Sequence, residues 1–325
     1  MKFRLENARS IVSIAGLVVA IVIGLAFVRR SLPFYPALHG FMLNHLPFHA
    51  LYWSLAHESE ICPWIEAFNG LREAGETTKA QERAAEESRL VRRDDSGLQL
   101  WSTPIGEMWF PQSTEPQYVH FVVAQSQVDA YSGTPVHKGD VVLDCGGFVG
   151  DWTKFALAAG ASKVITMEPS HEALECIRRN LADEISEGRV VLYPKGVWDQ
   201  DERLYLGSVE GNPAGNSVTG DNSGAGEWID LTSIDKIVAE LGLERVDVIK
   251  MDIEGAETRA LRGAAATLNH FRPRLAVATE HTDDILQNNH DVIQVVHEIA
   301  PFYSPQCGYC TLAGGVVPWT LYFVQ

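Results

Sequence analysis

The stretch of sequence that decides the fold is VVLDCGGFVGDWTKFALAA, residues 141–159. It opens with a short apolar run, residues 141–144, of the kind that a buried parallel strand requires. Residues 145–150 contain three glycines, and a helical pattern then covers residues 152–159. A strand, a glycine-rich turn and a helix form a nucleotide-binding arrangement, because glycines let a ligand approach the backbone and the helix N-terminus faces it. The pattern predicts an α/β domain that binds a nucleotide.

Two acidic residues indicate which nucleotide this is. The dehydrogenase pattern G-x-G-x-x-G opens with a glycine. Here Asp144 stands at the strand end, two residues before Gly146, where a carboxylate can hold a cationic amino group. A second predicted strand, residues 163–168, ends in Glu168, 24 residues after Asp144. This is the distance at which a carboxylate accepts both ribose hydroxyls. An amino group and a ribose together outline S-adenosylmethionine.

Three motifs resemble one family of enzymes. They are DCGGFVGDWT (144–153), MEPS (167–170) and DVIKMDIEGAE (247–257), of which the last is the most distinctive. From about Tyr131 to its C-terminus the chain resembles the FkbM family of S-adenosylmethionine-dependent methyltransferases. The resemblance implies a class I methyltransferase fold, whose Rossmann-like seven-stranded sheet is mostly parallel with one antiparallel strand. It also implies, in most members, O-methylation of sugars or secondary metabolites. Cys145 is a mild departure, because the family commonly has an aliphatic residue there.

The residues that bind the cofactor follow from both arguments. The positions of Asp144 and Glu168 predict that they hold its amino group and its ribose hydroxyls, and the resemblance implies that Val197 and Trp198 lie near its adenine. The cofactor-binding residues predicted for this chain are Asp144, Gly146, Gly147, Gly150, Glu168, Pro169, Val197 and Trp198.

Acidic residues and a histidine follow two further predicted strands. One strand delivers Asp252 to the carboxyl edge of the sheet, where parallel sheets place ligands, and Glu254 and Glu257 follow. One of these carboxylates can serve as a general base, or the set can help to hold a divalent cation. Glu257 equally suits the first turn of the next helix. His281 follows the next strand and has an unperturbed pKa near neutral, so it is the first candidate for the base. The predicted catalytic residues are His281, Asp252 and Glu254, and no residue is assigned to a metal.

The remaining pattern fits the same fold. Residues 211–226 are too rich in Gly, Asn and Ser to be anything but a loop. A loop of this length is either a lid that selects substrates or an insertion without a role. Further strands are predicted at residues 190–193, 204–207, 246–251, 274–279 and 320–324, and helices at residues 233–241 and 283–299.

The N-terminal residues predict a membrane attachment. Residues 11–28 carry no charge. As a helix with a rise of about 1.5 Å per residue they would span roughly 27 Å, close to the thickness of a bilayer's hydrocarbon core. A cleaved signal peptide fits less well, because the apolar run is long and no small-residue cleavage site follows it. The aromatic residues 31–64 suit the bilayer interface, and a second partial span there stays open. The charged residues 71–93 predict a solvated helix or stalk.

The predicted organisation has three parts. They are a transmembrane anchor at residues 1–30, a membrane-interface segment and charged helical linker at 31–97, and a methyltransferase domain at 98–325. Three cationic residues precede the span and two follow it, so charge decides little about its orientation. Because S-adenosylmethionine is a cytosolic cofactor, the catalytic domain is expected on the cytoplasmic side of a single-pass anchor.

Composition excludes several classes of function. The chain has 325 residues and a formal net charge of -16 at pH 7. This charge repels phosphate backbones, so nucleic acid is not an expected partner. The five cysteines are an odd number at irregular spacing and predict reduced thiols. Cys307 and Cys310 form a C-x-x-C motif, which elsewhere indicates a redox pair or half a zinc site. Because no partner motif exists, we interpret this pair as structural or incidental.

These patterns lead to one main hypothesis. It is a membrane-anchored methyltransferase that methylates a hydroxyl of a sugar, lipid or secondary metabolite, with a small-molecule or lipid-linked acceptor. The alternative is a non-catalytic methyltransferase-fold subunit of a membrane protein complex. Its motivation is the elaborate aromatic segment at 31–64, which could contact membrane protein partners. A nicotinamide-dependent oxidoreductase is a third hypothesis, disfavoured by the absent first glycine.

Overall fold

The computed structural model describes Cys62 and residues 64–128, 131–219, 224–311 and 317–325. The predicted anchor at residues 11–28 lies outside the described residues, as does almost all of the aromatic segment at 31–64. Within the described part of the chain, no helix combines the length and the apolar character that a membrane crossing needs.

The helices and strands are numbered in chain order. The strands are β1 (Arg89–Arg93), β2 (Gln99–Thr103), β3 (Gly106–Phe110), β4 (Val141–Cys145), β5 (Lys163–Met167), β6 (Val190–Tyr193), β7 (Gly196–Trp198), β8 (Glu202–Gly207), β9 (Ser217–Thr219), β10 (Gly226–Ser233), β11 (Val248–Met251), β12 (Arg274–Ala278), β13 (Ser304–Thr311) and β14 (Val317–Val324). The helices are α1 (Trp64–Glu87), α2 (Pro116–Val128), α3 (Asp151–Ala159), α4 (His171–Asn180), α5 (Ala182–Ser186), α6 (Ile234–Glu240), α7 (Glu257–Arg262), α8 (Ala265–Phe271) and α9 (Ile285–Ile299), with a short 3-10 turn at Pro213–Gly215.

A seven-stranded sheet forms the centre of the fold, in the order β13-β14-β12-β11-β4-β5-β6. Strands β4, β5, β6, β11 and β12 run parallel, whereas β14 is antiparallel to both of its neighbours. Parallel strands are usually buried on both faces and therefore apolar. Leu143, Ile165 and Ile249 accordingly lie in the main core. The predicted α/β fold, with a mostly parallel seven-stranded sheet and one antiparallel strand, is confirmed.

Strand β13 is the member of this sheet that the sequence pattern does not predict. Pro305 and Gly308 lie within it, and both are weak strand formers. The strand stands at the edge of the sheet, where a proline is tolerated because one side of the ladder is unpaired. The C-x-x-C motif therefore lies on a strand. Cys307 and Cys310, three residues apart, project to opposite faces of it.

A separate four-stranded sheet has the order β7-β10-β8-β9. The strand predicted at residues 204–207 belongs to this sheet as part of β8, where it pairs with β10 and not with the central strands. The loop predicted at residues 211–226 contains the 3-10 turn and β9, which pairs with β8. Part of this Gly- and Asn-rich segment is therefore held beside β8, while residues 220–223 are outside the described residues.

Helix α1 packs onto the domain. Its buried residues Gly70, Thr77, Ala80 and Ala84 recur at intervals of seven, three and four and so form one stripe. The helix lies against α2 and β13. Ala84 also joins a core that β2, β3 and α2 share. The predicted helix is present, but it is not a free stalk, because small residues among the charges allow close packing that the apolar pattern does not reveal.

A disulfide joins Cys62 to Cys307 on β13, across 245 residues of sequence. The prediction that the cysteines are reduced is therefore wrong for this pair, whereas Cys145, Cys176 and Cys310 are buried and form no disulfide. Spacing cannot reveal a pairing between such distant residues. The bond fixes the first described residue to the edge of the central sheet.

Candidate active site

The carboxyl ends of β4, β5, β11 and β12 border a cavity of about 580 Å³. Ligands of open parallel sheets bind at this edge. Further walls come from α1, from α2 and from the segment around the 3-10 turn. The volume lies within the range of small-molecule sites.

The glycine turn after β4 meets the turn after β11. Gly146 has a φ of 81°. A Cβ atom on this residue would lie 1.9 Å from the carbonyl oxygen of Asp252, so only glycine fits. Glycine at this position therefore allows the ends of β4 and β11 to approach each other closely. Gly146 and Gly147 also line the cavity, as expected for a nucleotide-binding turn.

Glu168 presents its carboxylate at the end of β5. Its Oε2 accepts a hydrogen bond from the backbone N–H of Phe148 at 2.9 Å, and its Oε1 accepts one from Ser170, also at 2.9 Å. Burial raises the pKa of Glu168 to about 7, although these two N–H groups oppose the rise. Each oxygen retains a lone pair, so the carboxylate can still accept hydroxyl groups of a ligand.

The predicted cofactor residues divide into two groups. Asp144, Gly150 and Trp198 do not border the cavity. Trp198 alternates with Val197 on β7 and therefore projects to the opposite face, where its Nε1 donates to Glu202 at 3.1 Å. Gly150 precedes α3, and a Cβ atom there would collide with Leu181. The residues that do line the cavity are Gly146, Gly147, Glu168, Pro169 and Val197.

Asp144 is fully buried and faces a lysine. Its Oδ2 accepts from Oγ1 of Thr153 at 2.6 Å, and its Oδ1 lies 3.3 Å from Nζ of Lys250. Burial raises the pKa of Asp144, and Lys250 and Thr153 partly offset the rise. Nζ of Lys250 also donates to the carbonyl oxygen of Gly146 at 2.8 Å. Because the carboxylate already faces these partners, direct contact between Asp144 and a ligand amino group does not follow from the structure.

An acidic centre, defined as Asp252, Glu254, Glu257, Glu280 and His281, follows the ends of β11 and β12. Nε2 of His281 lies 3.4 Å from Asp252, 3.4 Å from Glu254 and 3.7 Å from Glu280. Its Nδ1 lies 3.6 Å from Glu257. The three predicted catalytic residues, His281, Asp252 and Glu254, are thus brought together. They are also arranged so that they could hold a metal ion.

The charges of the acidic centre determine the state of His281. Burial lowers the pKa of His281, but nearby Glu257 and the three other carboxylates outweigh burial and raise it to about 11. In the ligand-free chain this raised pKa favours the protonated ring. Burial also raises the pKa of Glu254 to about 8 and that of Glu280 to about 7. The role of His281 as the base stays a prediction, which this raised pKa does not favour.

Three residues of the site are absent from the sequence-based prediction. The sequence could have predicted a role for Lys250, because a single charged residue within an apolar strand needs a buried partner. Tyr131 donates its hydroxyl to Asp252 at 2.6 Å, a contact across 121 residues that no local pattern reveals. Glu280 stands beside His281 at the same strand end, and the prediction chose the histidine from its ordinary pKa alone.

The family profile described as the methyltransferase FkbM domain matches residues 144–309. The FkbM methyltransferase from Methylobacillus flagellatus KT is 18% identical to this chain, with 79% of this chain and 61% of that chain covered and a TM-score of 0.43. A putative methyltransferase from Streptococcus mutans, solved in complex with SAH, is 14% identical, with coverages of 60% and 93% and a TM-score of 0.37. The O-methyltransferase from Bacillus cereus, also solved with SAH, is 13% identical, with coverages of 78% and 91% and a TM-score of 0.35.

The match to the family profile decides the family. The alignment spans less than two thirds of the Methylobacillus chain. None of the curated proteins compared with the chain matches it. The profile, however, covers just over half of the chain, including the glycine turn, Glu168 and the acidic centre. The chain therefore belongs to the FkbM family of methyltransferases.

Proposed function

We propose that this chain is an S-adenosylmethionine-dependent methyltransferase that methylates a hydroxyl of a small-molecule or lipid-linked acceptor. The observation that carries the proposal is one cavity, which joins Glu168 and the glycine turn to the acidic centre. A cofactor site and a proton-accepting site in one cavity give the proximity that transfer between two bound molecules requires. Membership of a methyltransferase family supports the same activity.

The cavity offers groups that suit each part of the cofactor. Glu168 has lone pairs available for the ribose hydroxyls. Asp151, which lines the cavity at the start of α3, would take the cationic amino group in place of Asp144. Val197 and Leu231 provide buried apolar surface for the adenine. The residues present therefore fit this cofactor.

The acidic centre would remove the proton of the acceptor. When bound, the cofactor would supply an activated methyl group on a cationic sulfur, which the acceptor oxygen would take up as its proton leaves. Both ring nitrogens of His281 face carboxylates, so this residue would orient them. Glu280 lines the cavity, and its Oε2 accepts from the backbone N–H of Thr279 at 3.0 Å. This leaves its other oxygen to take the hydroxyl proton, as a general base must.

The acceptor side of the cavity is rich in amides. Gln81 comes from α1, Gln117 and Gln125 come from α2, and Asn212 and Asn216 flank the 3-10 turn. Amide side chains both donate and accept hydrogen bonds, so they suit a molecule with several hydroxyl groups. This wall supports O-methylation of a sugar, a lipid headgroup or a secondary metabolite.

Residues 11–28 would hold this enzyme at a membrane, with the catalytic domain on the cytoplasmic side. After an alkaline carbonate wash, the full chain should stay with the membranes, whereas a chain without residues 1–30 should be released. Protease added to sealed vesicles should digest the domain if it faces the cytoplasm. Protection of the domain in those vesicles would contradict the assigned side.

Calorimetric titration of the full chain with S-adenosylmethionine tests the cofactor. We expect one site, weakened at least tenfold in Glu168→Ala, because a charged hydrogen-bond acceptor contributes about 1.5–3 kcal/mol. Glu172→Ala is the matched control, since Glu172 is an exposed glutamate four residues further on. A folded chain that binds no S-adenosylmethionine would refute the proposal and favour the non-catalytic subunit.

Methyl transfer tests the assignment of the base. Radiolabelled S-adenosylmethionine would be incubated with the full chain and with sugars, lipids and other hydroxylated acceptors. In Glu280→Gln we expect the rate to fall about 10²–10⁴-fold, the range of general-base catalysis, with cofactor affinity unchanged. An unchanged rate would remove Glu280 from the mechanism.

A further inference from the structure

Three ligand atoms of the acidic centre have the dimensions of a coordination shell. Nε2 of His281 is 3.4 Å from Oδ1 of Asp252 and 3.4 Å from Oε1 of Glu254, and all three atoms lie within 4.8 Å of one another. Both measured distances exceed those of a normal hydrogen bond. When a metal ion binds ligand atoms at about 2.1–2.4 Å, two ligand atoms on opposite sides of it lie about 4.2–4.8 Å apart, which is the largest separation that one ion allows. One cation can therefore reach all three atoms.

The second ring nitrogen of His281 is backed by a buried carboxylate. Glu257 is only 1% exposed, and its Oε1 lies 3.6 Å from Nδ1 of His281. The same oxygen accepts from the backbone N–H of Ile253 at 3.0 Å, which fixes the side chain. Oε2 of Glu257 and Nδ1 of His281 are buried without a hydrogen-bond partner. A carboxylate behind the second nitrogen is the usual support of a metal-binding histidine.

The carboxylates of the acidic centre also outnumber the cations near them. Four of them surround a single imidazole. Lys250 approaches only Asp252, at 3.9 Å, and it lies closer to Asp144, at 3.3 Å. Carboxylates this close together repel one another, and positive charge among them offsets that repulsion. A divalent ion at this point would supply it.

We propose that Asp252, Glu254 and His281 bind a divalent cation of the Mg²⁺ or Mn²⁺ class, with Glu257 as a positioning residue. Two carboxylate oxygens favour such a hard ion, and three protein ligands leave positions open for water or for an acceptor hydroxyl. The role of the ion rests on the proposed function: it would bind the acceptor oxygen and lower the pKa of its hydroxyl. Glu280 would then take the proton. Binding of the ion does not depend on that role.

Binding of Mn²⁺ to the full chain tests the proposal. Electron paramagnetic resonance of free Mn²⁺, together with calorimetry, gives the stoichiometry and affinity without any need for an acceptor. We expect one Mn²⁺ per chain, bound at least tenfold more weakly in Glu254→Gln and in His281→Gln. In Glu257→Gln the loss should be about 10–100-fold, as for other residues that support a ligand. Mg²⁺ should compete for the same site.

A matched control is available in the same domain. Glu227 contacts His171 on the surface, so Glu227→Gln removes a carboxylate beside a histidine that is outside the cavity. This variant should bind Mn²⁺ normally, and thermal melting shows whether each variant is folded. If Glu254→Gln does not fold, Asp252→Asn replaces it.

The outcomes separate this proposal from the proposed function. No stoichiometric Mn²⁺ binding by the unaltered chain, or equal binding in the two ligand variants, overturns the metal site. If the chain binds S-adenosylmethionine but no Mn²⁺, only the proposal of a metal site is overturned. If it binds Mn²⁺ at these residues but no S-adenosylmethionine, only the proposed cofactor is overturned.

Discussion

Lys250 is a buried cation that holds two strand ends together. It donates to the carbonyl oxygen of Gly146 and lies 3.3 Å from Asp144 and 3.9 Å from Asp252. Burial lowers the pKa of Lys250, but these carboxylates outweigh burial and raise it above its ordinary value. Removing one partner of such a buried pair leaves an uncompensated charge, which is strongly destabilising. Asp144 therefore supports the glycine turn through Lys250.

The ionisation of Glu168 predicts how cofactor binding depends on pH. The pKa of Glu168 is about 7, because burial disfavours the carboxylate. Ribose hydroxyls donate best to the ionised form, so binding should compete with protonation. The dissociation constant of S-adenosylmethionine should rise about tenfold for each pH unit below 7 and level off above about pH 8. Calorimetry at several pH values measures this profile.

Glu168→Gln is the control for that profile. A carboxamide does not titrate in this range, whereas titration of the ligand itself is common to both proteins. The variant should bind more weakly at pH 8 and lose the steep part of the profile. Identical slopes in the two proteins would show that another group controls binding.

At the residue scale, the sequence predicts which side chains meet in the site better than it predicts their protonation states. The proximity of Asp252 and His281 is predictable, because these residues follow β11 and β12, which are adjacent and parallel. The charge of His281 could not be predicted in this way. It depends on how many carboxylates lie within 4 Å of the ring, and side-chain directions in the turns decide that number.

Helix α1 offers a test of packing at the scale of an element. Ala84 is fully buried, whereas the next residue, Ala85, is exposed. Ala84→Asp would place a carboxylate in the core shared with α2 and β3, and should lower the free energy of unfolding by about 3 kcal/mol or more. Ala85→Asp carries the same helix propensity and the same charge, so it should change this free energy by only about 0.5 kcal/mol. Urea denaturation measures both.

Equal stability of the two variants would mean that α1 is free in solution, as the sequence pattern predicts. If instead the buried position is sensitive, α1 is an integral part of the domain. A soluble fragment that begins at residue 98 would then lack Gln81 and expose the face of α2. Fragments for biochemical work should therefore begin near Cys62.

At the element scale, the sequence pattern predicts the strands that are buried on both faces. Residues 141–144, 163–168 and 246–251 each hold three or four apolar residues, and all three segments contribute strands to the central sheet. Strand β13 and the β7-β10-β8-β9 sheet were not predicted. These strands contain glycines, prolines or polar residues, which also mark loops.

The disulfide gives a prediction for the whole molecule. Cross-linking residues 62 and 307 restricts the unfolded chain, which typically contributes about 2–4 kcal/mol to stability. Cys62→Ser should lose this contribution, and a reductant should lower the stability of the unaltered chain by the same amount. Urea denaturation with and without dithiothreitol measures both.

The variant itself serves as the control for the reductant. Dithiothreitol should not change the stability of Cys62→Ser, because Cys145, Cys176 and Cys310 form no disulfide. If the reductant has no effect on the unaltered chain, residues 62 and 307 are not cross-linked in solution. Mass spectrometry of an unreduced digest would identify the linked peptides directly.

The same bond has a mechanical consequence. Tension on residues before Cys62 would pass through the disulfide directly into β13, the edge strand of the central sheet. Helix α1 and the strands that carry the active site lie inside the covalent loop and would bear little of that load. A chain held by its N-terminal segment could therefore be pulled on without distortion of the cavity. Reduction would move the load onto α1, whose packing alone would then resist it.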